Sequence, residues 1–220
     1  MFTDRDQAGQ MLAARLMHLK GPDVVVLALP RGGVPVAAQV ATALAAPLDL
    51  MLVRKVGLPG HAELALGAIA GPDGAEFVLN PEVAASSGLS DAAIARLAEA
   101  ARPELLRRRA AYLGARPALA LAGKTVILVD DGIATGATMR AALQALRRAG
   151  PKRVVLAVPV APPDTLATLR TMVDDLICLE MPYAFAAVGA HYASFPQVSD
   201  AEVLALLHRG SGAADFQPTA

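Results

Sequence analysis

The sequence predicts an α/β fold, a doubly wound parallel sheet with helices packed on both faces. Three short runs are almost wholly apolar: Val24 to Leu29, Leu48 to Val53 and Val126 to Val129. Continuous apolar runs, unlike alternating ones, are typical of strands buried on both faces of a parallel sheet. Segments with helical spacing separate the runs, as expected of strand–helix–strand units. A chain of 220 residues, 55% of them hydrophobic, suffices for one such core, so we expect residues 1–220 to form a single domain.

The elements of the first half are predicted in order from spacing and from breakers. The first helix is amphipathic and ends at Gly21-Pro22, a pair that stops helices. A glycine-rich stretch follows the second strand and is predicted to be a loop. The predicted elements are a helix over 6–20, a strand over 24–29, a helix over 34–44, a strand over 48–53, a loop over 57–60, an apolar run over 66–69 and an edge strand over 76–79.

The second half begins with a change of composition. Residues 81–114 are rich in Ala, Arg and Glu, which favours a short helix and then a long one from Asp91 to about Leu113. Ser90 or Asp91 is a candidate N-cap, and Pro103 a candidate kink. Strands and helices then alternate again: a strand over 126–129, a helix over 137–149, a strand over 154–158, a helix over 164–172, a strand over 175–179 and a terminal helix over 200–207. The end of the chain, 209–220, is predicted to be a disordered tail.

The most informative segment runs from Val126 to Thr138, where a buried strand ends in Asp130 and Asp131. A loop of small residues follows and leads directly into a helix, whose first turn carries about half a positive charge. Loop amides and threonine hydroxyls can bind one anion, whereas the two carboxylates cannot and are predicted to face a ribose diol or a hydrated Mg²⁺. The loop, here named the T-G-x-T loop, consists of Gly132, Ile133, Ala134, Thr135, Gly136, Ala137 and Thr138.

This segment resembles the phosphoribosyl-pyrophosphate (PRPP) signature of the type I phosphoribosyltransferases, in which two acids and a T-G-x-T loop follow an apolar strand. The resemblance implies that Asp130 and Asp131 hold the ribose hydroxyls and, through water, a Mg²⁺ ion. It implies that residues 132–138 bind the 5′-phosphate. It also implies the family's fold, with 81–114 as a helical insertion and 180–207 as a small C-terminal hood. The alternative is an ordinary strand–helix turn with Asp131 as a helix cap.

A second candidate anion loop follows the first strand. Arg31, Gly32 and Gly33 stand just before a helix, so glycine amides and a guanidinium can converge on one anion. The family has a pyrophosphate loop at this place, and the resemblance assigns that role to these three residues, here named the R-G-G loop. A cis or strained peptide before Arg31 is a further expectation from the family. An ordinary surface turn would have a similar sequence.

Basic residues also follow the second predicted strand. Arg54 and Lys55 would face the same crevice as the two loops, and the family analogy assigns one or both of them to pyrophosphate. The glycine-rich loop after them is expected to be a mobile cover that carries His61 and Glu63 toward the ligand. The alternatives are an exposed loop histidine and a local salt bridge.

Aromatic side chains concentrate near the C-terminus of the chain. Tyr183 and Phe185 are candidate contacts to a planar base, since ring faces stack on bases. The alternative is that the rings of this region only pack the hood onto the sheet.

Composition excludes several classes of protein. Lys plus Arg and Asp plus Glu both number 20, and this balance argues against a nucleic-acid partner. One cysteine, Cys178, excludes an internal disulfide framework. No apolar run reaches the roughly 18 residues needed to span a bilayer, and the charged N-terminus does not resemble a signal peptide. We therefore expect a cytoplasmic protein without a membrane partner.

The expected function is that of a Mg²⁺-dependent phosphoribosyltransferase, in which a nitrogenous base or amine displaces pyrophosphate from PRPP. Catalysis would depend on Asp130, Asp131, Arg31 and Lys55. The alternative is a non-catalytic PRPP- or nucleotide-binding regulatory module. The sequence further resembles a bacterial branch of the superfamily whose members also occur fused to dienelactone-hydrolase-like domains, so the acceptor base cannot be transferred by analogy. The assembly is left open, a homodimer included.

Overall fold

The computed structural model describes residues 1–71 and 76–210, apart from the side chains at positions 62, 63 and 210. The strands are β1 (Val24–Ala28), β2 (Leu48–Leu50), β3 (Leu52–Leu58), β4 (His61–Gly71), β5 (Glu76–Leu79), β6 (Thr125–Val129), β7 (Arg153–Val160) and β8 (Asp175–Glu180). The helices are α1 (Arg5–Leu16), α2 (Gly33–Leu44), α3 (Pro81–Ser87), α4 (Asp91–Leu113), α5 (Ala137–Arg148), α6 (Pro163–Arg170) and α7 (Asp200–Gly210).

A five-stranded parallel sheet forms the centre of the molecule, in the order β2-β1-β6-β7-β8. One face is covered by α1, α2 and α7, and the other by α5 and α6. Alternate residues of β1 divide between the two cores, with Val24 and Val26 on the first face and Val25 and Leu27 on the second. The predicted doubly wound α/β fold is confirmed, and the carboxyl ends of β1 and β6 lie side by side.

The predicted strand over 48–53 is wrong in one respect, because the chain changes sheets within it. Leu48–Leu50 pairs with β1, and the amide of Met51 still donates to the carbonyl of Ala28 at 2.9 Å. From Leu52 onward the chain joins a separate antiparallel sheet, β3-β4-β5. Both sheets require buried apolar residues at this point, so the apolar run gives no sign of the change.

The predicted loop over 57–60 is wrong in its first half, because Gly57 and Leu58 lie in β3 and only residues 59 and 60 form the turn of a hairpin. Leu58 pairs with His61, and Gly60 turns the chain with a φ of 80°. The register shifts on either side of Gly57, so this glycine marks a bulge within β3 and not the start of a loop. The edge strand over 76–79 forms as predicted.

The helices over 81–114 form as predicted. The Ser90 side chain caps α4 by accepting from the amide of Ala93 at 3.3 Å, and α4 continues through Pro103. α4 packs against one face of the antiparallel sheet and α5 packs against the other. The insertion therefore encloses this sheet from the side opposite to α5.

The N-terminal segment and residues 181–199 meet at the carboxyl edge of the parallel sheet. Residues 181–199, here named the cap segment, contain only one short 3-10 turn at Val188–His191. Phe2 forms a parallel bridge with Tyr192 in this segment. The terminal helix α7 does not join it but packs on α2 and α4, so the predicted hood over 180–207 divides into two parts. Residues 209 and 210 lie in α7 instead of the predicted tail, and residues 211–220 lie outside the description.

Within the described part of the chain, no helix combines the length and the apolar character needed to cross a bilayer.

Candidate active site

The two predicted acids stand at the end of β6, between the ends of β1 and β7. The amide of Asp131 donates to Oδ1 of Asp130 at 2.8 Å, which fixes the Asp130 carboxyl group against the backbone of its neighbour. Burial, reinforced by repulsion from the neighbouring Asp131 carboxylate, raises the pKa of Asp130 well above its usual value. The pair is therefore held in a tight, partly desolvated position.

The Asp131 carboxylate is held by an arginine from the start of α1. Arg5 Nε donates to Oδ2 at 2.8 Å, and the two side chains are only 10% and 13% exposed. The carbonyl of Asp131 accepts a 2.5 Å hydrogen bond from the Tyr192 hydroxyl of the cap segment. Asp131 thus connects the sheet to the start of α1 and to the cap segment.

The R-G-G loop packs directly against the acids. A Cβ atom on Gly32 would overlap Oδ2 of Asp131 and lie 2.6 Å from its Cγ, and one on Gly33 would lie 2.9 Å from Cα of Asp130. Only glycine permits this approach. The peptide bond between Pro30 and Arg31 is cis, as the family resemblance leads one to expect. The structure therefore brings together two segments that are about a hundred residues apart in the sequence.

The T-G-x-T loop has the form expected of an anion-binding turn. The Ile133 amide donates to Val160 at 2.9 Å, which anchors the loop to β7. Among the described hydrogen bonds, none is donated by the amides of residues 134–138. Gly136, with a φ of 73°, begins α5, and the flanking Thr135 and Thr138 are exposed. Free amides and hydroxyls at a helix N-terminus can bind one phosphate group.

Arg31 is held beside the site by α7. Its Nη1 lies 3.5 Å from Oδ1 of Asp200, and the same oxygen accepts a 2.6 Å hydrogen bond from the Tyr112 hydroxyl. The Tyr112 hydrogen bond, more than Arg31, keeps the pKa of Asp200 below its usual value. This network was not predicted, because an Asp at a helix start is explained by its preference for that position.

Arg54 and Lys55 do not face the same crevice, which corrects the prediction for this pair. They are neighbours within a strand, so their side chains point to opposite faces of the sheet. Arg54 lies toward α4, where Nη1 is 3.9 Å from Glu104. Lys55 pairs with Ala68 on the face that packs against α5, the helix that begins at the T-G-x-T loop. Of the two, Lys55 remains the better candidate for a ligand.

The other predicted contact residues lie apart from the acids. His61 is exposed at the hairpin turn, and the side chain of Glu63 lies outside the description. Tyr183 is 94% exposed, whereas Phe185 stacks on His191 with ring centroids 5.3 Å apart. None of the described contacts joins these side chains to Asp130 or Asp131, and their roles as base contacts stay predictions.

Arg5 and Tyr192 are site residues that the sequence did not predict. One signal pointed to Arg5: a cation in the first turn of a helix opposes the helix dipole, so another interaction must hold it there. Tyr192 carried no comparable signal. Its hydroxyl is buried, which raises its pKa and keeps it a hydrogen-bond donor.

Comparison with known proteins agrees with this geometry. Residues 5–194 match the family model of the phosphoribosyl transferase domain. Two proteins of Mycobacterium tuberculosis, from strains CDC 1551 and H37Rv, each bear the name "Putative phosphoribosyl transferase". Both are 48% identical to this chain over 209 residues, which cover 95% of this chain and 47% of the relative. The chain thus spans about half the length of these curated relatives.

A solved structure resembles the chain over almost its whole length. The crystal structure of TT1426 from Thermus thermophilus superposes with a TM-score of 0.84 at 45% identity, covering 96% of this chain and 99% of that chain. Sequence, fold and the two loops at the acid pair therefore lead to one assignment. The chain belongs to the phosphoribosyl transferase domain family.

Proposed function

We propose that the chain is a Mg²⁺-dependent phosphoribosyltransferase, which transfers the ribose 5-phosphate group of PRPP to a nitrogenous base or amine. The observation that carries this proposal is the contact of the R-G-G loop with Asp131, so close that a Gly32 Cβ atom would overlap the carboxylate. Two candidate anion sites thus flank one acid pair. PRPP has the same order of groups, with a phosphate and a pyrophosphate on either side of a diol.

Each part of the site has one role in this proposal. Residues 132–138 bind the 5′-phosphate with backbone amides and with the hydroxyls of Thr135 and Thr138. Asp130 and Asp131 accept hydrogen bonds from the ribose diol. The R-G-G loop binds the pyrophosphate. Holding the sugar between two fixed anion sites leaves its anomeric carbon open to the acceptor and removes much of the entropic cost of orientation.

Bond breaking at the anomeric carbon places negative charge on the departing pyrophosphate. Arg31 and Lys55 are the cations proposed to stabilise that charge. The ion pair of Arg31 with Asp200 is long, at 3.5 Å, and Asp200 is 67% exposed. Solvent screens such an exposed pair, so the arginine can exchange it for pyrophosphate at little cost.

The acid pair suits a Mg²⁺ ion that binds together with the substrate. In the described part of the chain no three His, Cys, Asp or Glu side chains cluster to hold a metal. Mg²⁺ commonly keeps several waters and binds one or two carboxylates together with substrate phosphates. Asp130 and the remaining oxygen of Asp131 would hold such an ion, which would neutralise pyrophosphate charge when bound.

The proposal is tested by pyrophosphate release. Purified protein, PRPP and Mg²⁺ are incubated with a panel of purine and pyrimidine bases and small amines, and we expect release with at least one acceptor. Asp131→Asn should weaken PRPP binding by about 1.5–3 kcal/mol, the range for one charged hydrogen bond, as measured by calorimetry. Binding of PRPP without release across the panel would contradict the enzymatic proposal and favour a non-catalytic binding module.

A further inference from the structure

Arg5 is an unusual residue for its position. It is the first residue of α1, where a cation opposes the helix dipole, and it is only 9% exposed. Among the described residues, Asp49 is the one other charged residue buried to this extent. A buried charge is costly unless it is paired and hydrogen-bonded, so the contacts of Arg5 must account for its place.

Those contacts join three different parts of the site. Arg5 Nε donates to Asp131 Oδ2 at 2.8 Å, and Nη1 donates to the carbonyl of Pro196 at 2.7 Å. The guanidinium also lies 3.7 Å from the centre of the Phe195 ring, a cation–π geometry. One face of the guanidinium therefore rests on the cap segment, while one edge holds the acid.

The backbone before Arg5 is fixed independently of its side chain. The amide of Phe2 donates to His191 at 2.8 Å, and the amides of Ala193 and Ser194 donate back to Phe2 and Thr3 at 2.8 and 2.9 Å. These bonds form a short ladder between the N-terminal segment and the cap segment. The backbone next to Arg5 is thus held in place by hydrogen bonds that do not involve its side chain. A residue that only neutralised charge would not need a fixed backbone.

The position of the Asp131 carboxylate matters because there is little space around it. Oδ2 occupies the volume that a Gly32 side chain would need, so few orientations are open to the carboxylate. Without Arg5, Oδ2 loses the 2.8 Å hydrogen bond that fixes it, and the carboxylate is free to rotate out of this orientation. We propose that Arg5 is a positioning residue, which orients Asp131 toward the ribose diol; this inference rests on the proposed function.

The inference predicts a selective effect on two probe ligands. Inorganic phosphate needs only the T-G-x-T loop, whereas ribose 5-phosphate needs the loop and the acid pair. Arg5→Met should therefore weaken ribose 5-phosphate about tenfold or more, the equivalent of one charged hydrogen bond, and change phosphate affinity less than about twofold. Arg5→Lys keeps the charge but loses the planar fork, so its affinity for ribose 5-phosphate should lie between wild type and Arg5→Met.

Isothermal titration calorimetry of each variant with both ligands is the experiment. The matched control is Arg15→Met, an exposed arginine of the same helix, which should alter neither affinity. The double variant Arg5→Met/Asp131→Asn should bind ribose 5-phosphate no more weakly than Asp131→Asn alone, because both changes remove one interaction. If Arg5→Met does not fold, the same selective loss must appear in Arg5→Lys.

Several results would overturn the inference. They are unchanged ribose 5-phosphate binding in Arg5→Met or Arg5→Lys, equal loss of both ligands, or additive losses in the double variant. Equal loss would mean that Arg5 only fastens the cap segment. Wild type that binds ribose 5-phosphate but releases no pyrophosphate contradicts the proposed enzyme and leaves the role of Arg5 intact. Wild type that does not bind ribose 5-phosphate overturns the acid-pair assignment and the role of Arg5 together.

Discussion

Gly32 occupies a position where a single methyl group would change the site. Its φ of −59° is open to any residue, so alanine would suffer from contact and not from backbone conformation. A Cβ atom there would overlap Asp131 Oδ2, and that carboxylate is already held by Arg5. To remove this overlap, either the Asp131 side chain or the R-G-G loop has to move.

Gly32→Ala is therefore expected to lower the free energy of unfolding by about 1–3 kcal/mol, the usual cost of overpacking. Urea denaturation measures the change. Gly21→Ala is the control, because a Cβ atom at Gly21 meets its nearest neighbour, the carbonyl of Leu19, only at 3.9 Å. Equal stability of the two variants would show that the R-G-G loop does not press on the acid.

Cys178, a half-buried residue within β8, offers a test of desolvation. Desolvation raises the pKa of its thiol to about 11, so above that pH the thiolate predominates and below it the thiol does. At pH 8 about one molecule in a thousand then carries the reactive thiolate. We expect slow alkylation by iodoacetamide at pH 8 and a rate that rises up to about pH 11. The same chain unfolded in urea should react as an ordinary cysteine, and fast labelling of the folded protein would contradict the burial.

Residues of the site differed in how far the sequence could predict them. Asp130, Asp131 and the two loops were predictable because each stands where an apolar strand meets a helix. Arg5 was not, because its partner Asp131 is 126 positions away and no local pattern connects them. Contacts of this kind depend on the tertiary fold, and the spacing of apolar residues along the sequence does not show which distant segments meet.

Among the elements, the antiparallel sheet was the least predictable. An apolar run shows that a strand is buried but not which sheet it joins. The change of sheet at Met51 was therefore not visible in the sequence. For the same reason Arg54 and Lys55 were expected at a strand end, whereas they lie inside β3 with opposite orientations. The parallel strands were predictable because a short, continuous apolar run is typical of a strand that helices cover on both faces.

The two loops lead to a prediction about division of labour between elements. The loop before α2 is proposed to bind pyrophosphate, and the loop before α5 to bind the 5′-phosphate. Arg31→Ala should weaken PRPP but leave binding of a nucleoside 5′-monophosphate nearly unchanged, because the monophosphate lacks pyrophosphate. Thr138→Ala should weaken both ligands by about 0.5–1.5 kcal/mol, the net value of one hydrogen bond.

Calorimetry with both ligands on both variants decides this point. Arg31→Ala should also reduce pyrophosphate release at saturating PRPP, since charge on the leaving group is no longer compensated. Equal weakening of monophosphate and PRPP by Arg31→Ala would contradict the division. Arg31 would then be a structural partner of Asp200, with which it already pairs at 3.5 Å.

At the scale of the whole molecule, the N-terminal segment and the cap segment form one unit over the site. A small cluster around Phe2 and Tyr192 holds them, with ring centroids 5.3 Å apart, and it is separate from the two large cores of the sheet. The fold class was predictable from the sequence, but this closure was not, because the cap segment has almost no regular structure. Its aromatic residues could equally have contacted a base.

Phe2 is 2% exposed and supports this unit. Phe2→Ala is expected to destabilise the unit by about 3–5 kcal/mol, the usual range for a buried phenylalanine, because the small remaining cluster cannot refill the space. The loss should be local. Amides of Ala193 and Ser194, which donate to Phe2 and Thr3, should lose hydrogen-exchange protection, while those of β6 keep it.

Hydrogen exchange followed by mass spectrometry or NMR compares this variant with Leu16→Ala. Leu16 is fully buried in the main core and lies outside the Phe2 cluster, so its loss should reduce protection throughout the sheet. Selective exposure of residues 193 and 194 in Phe2→Ala would mean that the cap segment can open while the sheet stays folded, which is what entry of a ligand beneath it requires. Uniform loss of protection in both variants would contradict that view, and the cap segment would then unfold only together with the core.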